Sequence, residues 1–153
     1  MKCAYVALAL SLAGAAFATP AVEATTYPYS IGYISLKHLI ESDIWDMTWS
    51  VTSRDKTDAA TGSTTCHTAW NNGSIPVGPK TPEPCANAAY HYRFPTGAYD
   101  VESYELVIEG PGGSATTKIE AGYKYQCGPY SGTLTNIDKE CKTINGGEFY
   151  LNQ

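Results

Sequence analysis

From Tyr29 onward the apolar residues fall at every second position in one segment after another. Tyr29, Ile31 and Tyr33 alternate with Ser30 and Gly32, which predicts a first strand running to Leu36. Leu36, Leu39 and Ile40 would also fit one helical turn. Trp45, Met47, Trp49 and Val51 then alternate without a fault with Asp46, Thr48, Ser50 and Thr52, so that Trp45 and Trp49 share one face of a strand with a methionine. That face is either core or a platform for an aromatic ligand. Large aromatics mostly serve as buried area, which favours core.

Residues 53–84 carry Thr-Gly, Asn-Asn-Gly and four prolines (Pro76, Pro79, Pro82 and Pro84) with no long apolar run. Their composition predicts loop, and loops commonly carry binding surfaces. Alternation returns after Cys85. Tyr90, Tyr92 and Phe94 face one way, His91 and Arg93 the other, and Pro95-Thr96-Gly97 marks a turn. Tyr104, Leu106 and Ile108 alternate with Glu105 and Glu109. Beyond Gly110-Pro111-Gly112-Gly113, the residues Thr117, Ile119, Ala121, Tyr123 and Tyr125 alternate with Lys118, Glu120 and Lys124. These two strands and their glycine-rich link predict an antiparallel hairpin, with glutamates set against lysines on its polar face. Asn145-Gly146-Gly147 predicts a further turn, and Phe149 and Leu151 a short final strand. No helical period is sustained. Short strands with frequent turn signals predict one all-β domain, a sandwich or a barrel.

The start of the chain follows different rules. Lys2 supplies a positive charge, Cys3–Phe17 contains none, and Ala16-Phe17-Ala18 is a small-residue cleavage pattern. These are the three regions of a secretory signal peptide, so residues 1–18 are expected to be removed and 19–153 to form the secreted domain, with 19–26 as a flexible leader. The apolar run is shorter than the roughly 20 residues that span a bilayer.

Cleavage changes the cysteine count. The precursor has five cysteines, an odd number, whereas the mature chain keeps four: Cys66, Cys85, Cys127 and Cys141. An even set in an oxidising compartment predicts two disulfides, and no C-x-x-C pair suggests zinc instead. Three connectivities remain open, neighbour pairing being one. Asn72-Gly73-Ser74 is a glycosylation sequon; a glycan on Asn72 would mark this loop as solvent-facing, while an unused sequon would simply be a turn.

Composition narrows the function classes. The formal charge is −5, and loss of Lys2 leaves nine basic against 15 acidic residues, a mature charge of −6. That balance argues against nucleic acid or anionic membrane as a partner. With 16% charged residues, 12 tyrosines and 14 glycines, the chain suits a β-rich extracellular domain. Catalytic signatures such as G-x-S-x-G, H-E-x-x-H or a phosphate loop do not occur. His38, His67 and His91 have no second ligand at metal spacing, so no metal and no cofactor is expected. Asp43 with Asp46 and Glu102 with Glu105 are acidic pairs of the kind a glycosidase needs, but Asp46 and Glu105 fall on the polar side of their strands, which suggests solvation.

The cysteine positions relative to the strands, together with Tyr33-Ile34-Ser35-Leu36, Trp45–Val51, the aromatic strand after Cys85, Leu106-Val107-Ile108, the strand ending at Cys127, and Cys141 before the last strand, resemble the secreted fungal family of the Alternaria major allergen (the Alt a 1-like proteins). The resemblance spans nearly the whole mature chain, as a pattern more than as identity. It implies a compact antiparallel β-barrel stabilised by two disulfides, Cys66 with Cys85 and Cys127 with Cys141. It also implies a secreted, spore- or wall-associated, non-enzymatic protein acting on plants: an elicitor or effector that binds a thaumatin-like defence protein, or a carrier of small aromatic ligands. Residues 19–65 lack the extra cysteine through which several family members dimerise, so no disulfide-linked dimer is expected. The proline-rich 66–85 loop departs from the family.

Three functional expectations follow: binding of a host defence protein through loops that include 67–84; carriage of a flavonoid-like ligand by Trp45, Trp49 and nearby tyrosines; and, with least support, hydrolysis by an acidic pair.

Overall fold

A computed structural model describes residues 27–73 and 81–153, all of them strand, turn or irregular chain with no helix. The first strand, β1 (Tyr29–Leu39), runs past the expected end at Leu36, and the alternative helical turn does not form. Leu39 instead pairs with Ile44 on β2 (Ile44–Arg54) and with Ile137 on β9 (Ile137–Thr143). The β2 alternation holds: Met47, Trp49 and Val51 are buried, and Trp45 is half-buried.

The largest correction lies in the supposed loop after β2. Ala60–Asn71 is β3, a 12-residue strand paired with β2 along its whole length, from Ile44 opposite Asn71 to Arg54 opposite Ala60. Its inward positions are Thr64, Cys66, Thr68 and Trp70. The period-two pattern is therefore present, but hydroxyls occupy half the core positions. Threonine is β-branched and suits a strand, so the backbone preference prevails over polarity.

Two antiparallel sheets result. The larger has the order β3-β2-β1-β9-β8, with β10 (Phe149–Leu151) also on β1, and β8 spans Tyr125–Pro129. The smaller has the order β4-β5-β6-β7, formed by Glu83–Pro84, His91–Arg93, Ser103–Gly110 and Gly113–Glu120. An irregularity in β1 between Ile31 and Ile34 divides its far edge: Tyr29–Ile31 pair with β10, and Ser35–Leu39 with β9. Neither ladder closes on itself, so the architecture stands as two antiparallel sheets.

The β6–β7 hairpin forms as expected. Gly110 pairs with Gly113, whose φ of 99° is open to glycine and strained for other residues. Glu105 stands opposite Lys118, yet the Lys118 ammonium pairs with Glu120, its neighbour two along the same strand. The expected run to Tyr125 is cut short. Ala121–Lys124 are an exposed bend, and Tyr125 starts β8 in the other sheet. Gly122 sits in open space at that bend.

The inner faces of the sheets meet on aromatic rings. Trp49 of the larger sheet packs edge-on against Tyr92 at 4.6 Å and Phe94 at 6.1 Å, and Phe94, Tyr104 and Tyr125 continue the series. Such pairs add about 0.5–1.5 kcal/mol each beyond the area they bury. Both disulfides join neighbours in sequence, Cys66 to Cys85 and Cys127 to Cys141. Cys127 and Cys141 are direct partners across β8 and β9, whereas Cys66 on β3 reaches the link between β4 and β5 of the smaller sheet.

Candidate functional site

The polar side chains of greatest chemical interest gather at the end of β1. Trp45 and His38 are cross-strand partners on β2 and β1, and their rings lie 4.9 Å apart. His38 Nδ1 lies 2.7 Å from an Asp138 carboxylate oxygen, and Nε2 lies 3.0 Å from Asp43. Both ring nitrogens can donate only when the imidazole is protonated. Burial opposes the charge, but the bonds to Asp138 and Asp43 outweigh it and hold the His38 pKa above its ordinary value. The reciprocal bond from His38 lowers Asp138.

The turn that delivers Asp43 is unusual. Asp43 adopts φ 50°, a region that aspartate tolerates better than most residues, and its backbone carbonyl accepts the N–H of Asn72 at 2.8 Å. Trp45 Nε1 donates to Asn72 Oδ1 at 3.2 Å. The β1–β2 turn, the end of β3 and the start of β9 are thus tied through His38, Trp45 and Asn72. What this set can do is hold three strand ends together in a charge-dependent way. It presents no nucleophile beside the imidazole.

The other sequence candidates are placed as follows. Trp49 is fully buried, and its Nε1 finds no partner among the described residues. It belongs to the core, whereas Trp45 keeps an exposed edge. Asp46 bonds to His67 Nε2 at 2.9 Å, and Glu105 accepts from Thr116 Oγ1 at 3.1 Å. Asp46 lies on β2 of the larger sheet and Glu105 on β6 of the smaller. Glu102 accepts from Lys139, and Asp43 is committed to His38. His91, on β5, is half-buried. Among the described residues no group of three His, Cys, Asp or Glu side chains could hold a metal. In the segment 67–84, residues 67–71 are strand, while 74–80 lie outside the described residues.

A second polar cluster had no signal in the sequence. Arg54, at the end of β2, reaches the Glu148 carboxylate at 2.5 Å with one arm, Ser30 Oγ at 3.0 Å with Nε, and the Asp58 carbonyl at 2.8 Å with the other arm. Its guanidinium lies 5.2 Å over the Tyr150 ring, and Tyr150 donates to Glu148 at 3.1 Å. Burial tends to raise the Glu148 pKa, yet the bonds from Ser30, Arg54 and Tyr150 bring it below its ordinary value. Beside it, Gly32, Tyr33 and the 143–148 turn enclose a shallow groove of about 390 Å³. No spacing in sequence links Arg54 to Glu148, or His38 to Asp138. Only the pairing of β1 with β9 and β10 brings them together.

Comparison with known proteins adds no identity: no family model matches the chain, and it matches neither a curated protein nor a solved structure.

Proposed function

We propose that this chain is the precursor of a secreted fungal β-barrel protein that acts at the plant surface by binding a defence protein of the thaumatin-like kind, as an elicitor or effector and without catalysis. The observation that carries the reading is the neighbour pairing of all four mature cysteines, the arrangement implied by the resemblance to the Alternaria major-allergen family. Paired cysteines suit an oxidising compartment, which agrees with the leader at residues 1–18. The reading is of a protein without a disulfide-linked dimer, in keeping with the pairing of these four cysteines within the chain.

The barrel is read from two seams between the sheets. Thr116 of β7 and Asn152, just past β10, exchange backbone hydrogen bonds of 2.8 and 2.9 Å. On the other side the Ala86 N–H reaches the Thr65 carbonyl of β3 at 2.8 Å, next to the Cys66–Cys85 bond. A path from β3 through β2, β1, β10, β7, β6 and β5 therefore returns almost to its start. The binding surface in this reading is the rim formed by the turn after β3 and by Thr81–Pro84, which is mostly exposed.

The test uses mature protein, residues 19–153, immobilised against plant apoplastic fluid and infiltrated into leaves at micromolar dose. Capture of a thaumatin-like protein together with a defence response is expected. Recovery of no partner and an indifferent leaf would overturn the proposal.

A second reading, carriage of a small aromatic ligand, has one observation in its favour. Among the described residues Trp49 Nε1 is a buried donor without an acceptor, and an unpaired donor in a core costs about 1–3 kcal/mol. A ligand oxygen between the sheets would relieve that cost. Tryptophan emission titrated with a flavonoid would shift if so; unchanged emission would remove this reading.

A further inference from the structure

We propose that the groove between Tyr33 and the turn at residues 143–148 binds a neutral oligosaccharide of β-linked, glucose-configured sugars, with the Tyr33 ring as its stacking platform. The inference goes beyond the defence-protein reading and uses a different surface, since that reading places its partner on the rim after β3.

The groove follows from the break in β1. Tyr29–Ile31 pair with β10 and Ser35–Leu39 with β9, so Gly32, Tyr33 and Ile34 face the turn between those two strands. Side-chain hydroxyls stand in for strand partners there: the Tyr33 N–H donates to Ser50 Oγ at 2.9 Å and the Ile34 N–H to Thr143 Oγ1 at 3.1 Å. The opposite wall is held from several sides. Asn145 and Gly146 take φ of 55° and 64°, the two left-handed positions of a tight turn that the Gly147 N–H closes on the Ile144 carbonyl at 2.8 Å. The Ile144 N–H donates to the Lys124 carbonyl and Asn145 Nδ2 to the Tyr123 carbonyl, and a side chain at Gly147 would meet the Lys124 carbonyl oxygen at 2.6 Å. A wall fixed in this way loses little freedom when a ligand arrives.

Size and chemistry select the ligand. The groove volume of about 390 Å³ falls within the range of about 300–1,000 Å³ for small-ligand sites. Ile144 also borders a second hollow of about 160 Å³ beside Gln126, Glu140 and Lys142, so the surface continues past a single sugar ring. The charged side chains lining the two hollows are already matched, Glu148 by Arg54 and Glu140 by Lys142, so an ionic ligand gains no net attraction. Hydrogen-bonding capacity and an aromatic ring remain. Thr143 Oγ1 accepts from Ile34 and keeps its proton to donate, Asn145 donates through Nδ2 and keeps Oδ1 to accept, and Glu148 Oε2 takes one bond from Tyr150 with a lone pair to spare. Sugar hydroxyls both donate and accept, which suits this mixture. Tyr33 lines the groove and is 57% exposed. A β-linked glucose unit carries its hydroxyls around the rim and its axial C–H bonds on its two faces, and the negative face of an aromatic ring attracts such C–H groups.

The experiment titrates disulfide-bonded protein, recovered from expression of the full chain, with laminarihexaose and cellohexaose in a calorimeter. Maltohexaose, which is α-linked, and an anionic oligogalacturonate are the comparators. Saturable binding of at least one β-linked hexamer is expected, tighter than that of either comparator. Tyr33→Ala should weaken it about tenfold, on the scale of one aromatic contact. Tyr33→Leu, which keeps a large side chain on the strand without the ring, should lose as much, and Tyr33→Trp should retain binding. Tyr99→Ala removes a tyrosine that is 72% exposed and does not line the groove, and should bind as wild type does. Failure of both β-linked hexamers to bind overturns the inference, as does tighter binding of a comparator. Unchanged affinity in Tyr33→Leu, or an equal loss in Tyr99→Ala, overturns the assignment to this groove. Each of these results leaves the capture of a defence protein to its own test.

Discussion

His38 Nδ1 and the Asp138 carboxylate lie 2.7 Å apart although 100 positions separate them in the chain, and Asp43 closes on the opposite nitrogen of the same ring. A ring bonded on both sides by carboxylates is stabilised as the cation. Its pKa is raised in the fold, so its contribution to stability is fully present below the unfolded histidine value and is lost as pH rises through the higher folded value. Asp138 works in the opposite sense: its folded pKa is lowered, so its contribution is present above the unfolded carboxylate value and is lost as pH falls through the folded one. Between the two the clamp is intact. The melting temperature should therefore decline from mildly acidic to mildly alkaline pH, and His38→Gln should flatten that slope. Both carboxylates are more than half exposed, so the effect is about 2 °C or less. Parallel pH–melting curves for the two proteins would make the prediction fail.

The Arg54–Glu148 pair is less exposed, with 14% and 30% of the side chains reached by solvent. Removing the carboxylate leaves a half-buried guanidinium without its main acceptor and deprives Ser30 and Tyr150 of theirs. Glu148→Ala should cost about 1–2 kcal/mol, below the range for fully buried pairs because solvent still reaches the site. Glu148→Gln keeps an acceptor for Ser30 and should cost less. Because the folded pKa of Glu148 is lowered, the wild-type advantage over the glutamine variant should be present above the ordinary glutamate value and disappear as pH falls through the folded one. Urea midpoints at pH 7 and pH 3 provide the comparison. Equal stability of all three proteins at pH 7 would contradict it.

The parts of the fold legible in the sequence share one property: their inward positions are apolar and their outward positions are polar. β2 meets that condition from Trp45 to Thr52, and β6 meets it apart from the buried Val107, so both are readable as strands, as is the hairpin turn at Gly113. β3 fails it because Thr64 and Thr68 occupy inward positions. β9 fails it because Asp138, Lys139, Glu140 and Lys142 surround Ile137 and Cys141 with charge. A period count that scores threonine as polar and ignores cysteine misses both. The opposite error occurs at Tyr123, which fits the alternation yet lies 79% exposed because the chain bends at Ala121–Lys124. Trp45 and Asn72 were visible as candidates, but not their contact, nor the pairing of His38 with Asp138. Those depend on strand order, which local patterning does not encode.

The two disulfides close loops of similar length, with sequence separations of 19 and 14, so chain entropy alone assigns each roughly 3 kcal/mol. Their places in the fold differ. Cys127–Cys141 links residues already paired in the β8–β9 ladder. Cys66–Cys85 ties β3 to the link between β4 and β5 of the smaller sheet, where the Ala86–Thr65 bond is the neighbouring backbone link. The Cys66→Ser/Cys85→Ser variant should therefore be destabilised more than Cys127→Ser/Cys141→Ser, and it alone should expose the aromatic core enough to bind a hydrophobic dye at neutral pH. Denaturant midpoints and dye fluorescence, measured side by side, test the order. The reverse ranking would mean that the seam at β3 is held by other contacts.

Trp49 offers the sharpest separation of core from carrier. It is completely buried, packs on Tyr92 and Phe94, and has an Nε1 unpaired among the described residues. If that space is core alone, Trp49→Ala opens a large cavity and should cost about 3–5 kcal/mol. Trp49→Phe also loses volume, but it removes the orphaned donor and keeps an edge-on ring, so about 1–2 kcal/mol is expected. Trp45→Phe should cost less than 1 kcal/mol, because it gives up one exposed hydrogen bond to Asn72 and little buried area. Emission should divide in the same way: Trp49 contributes the blue-shifted, poorly quenched component, and Trp45→Phe removes the component most accessible to quencher. If the space instead receives a ligand, Trp49→Phe abolishes a flavonoid-induced change in emission that Trp45→Phe retains. Stability and quenching of the three variants, each with and without flavonoid, therefore decide whether the tryptophan at the centre of β2 holds the sheets together or holds something between them.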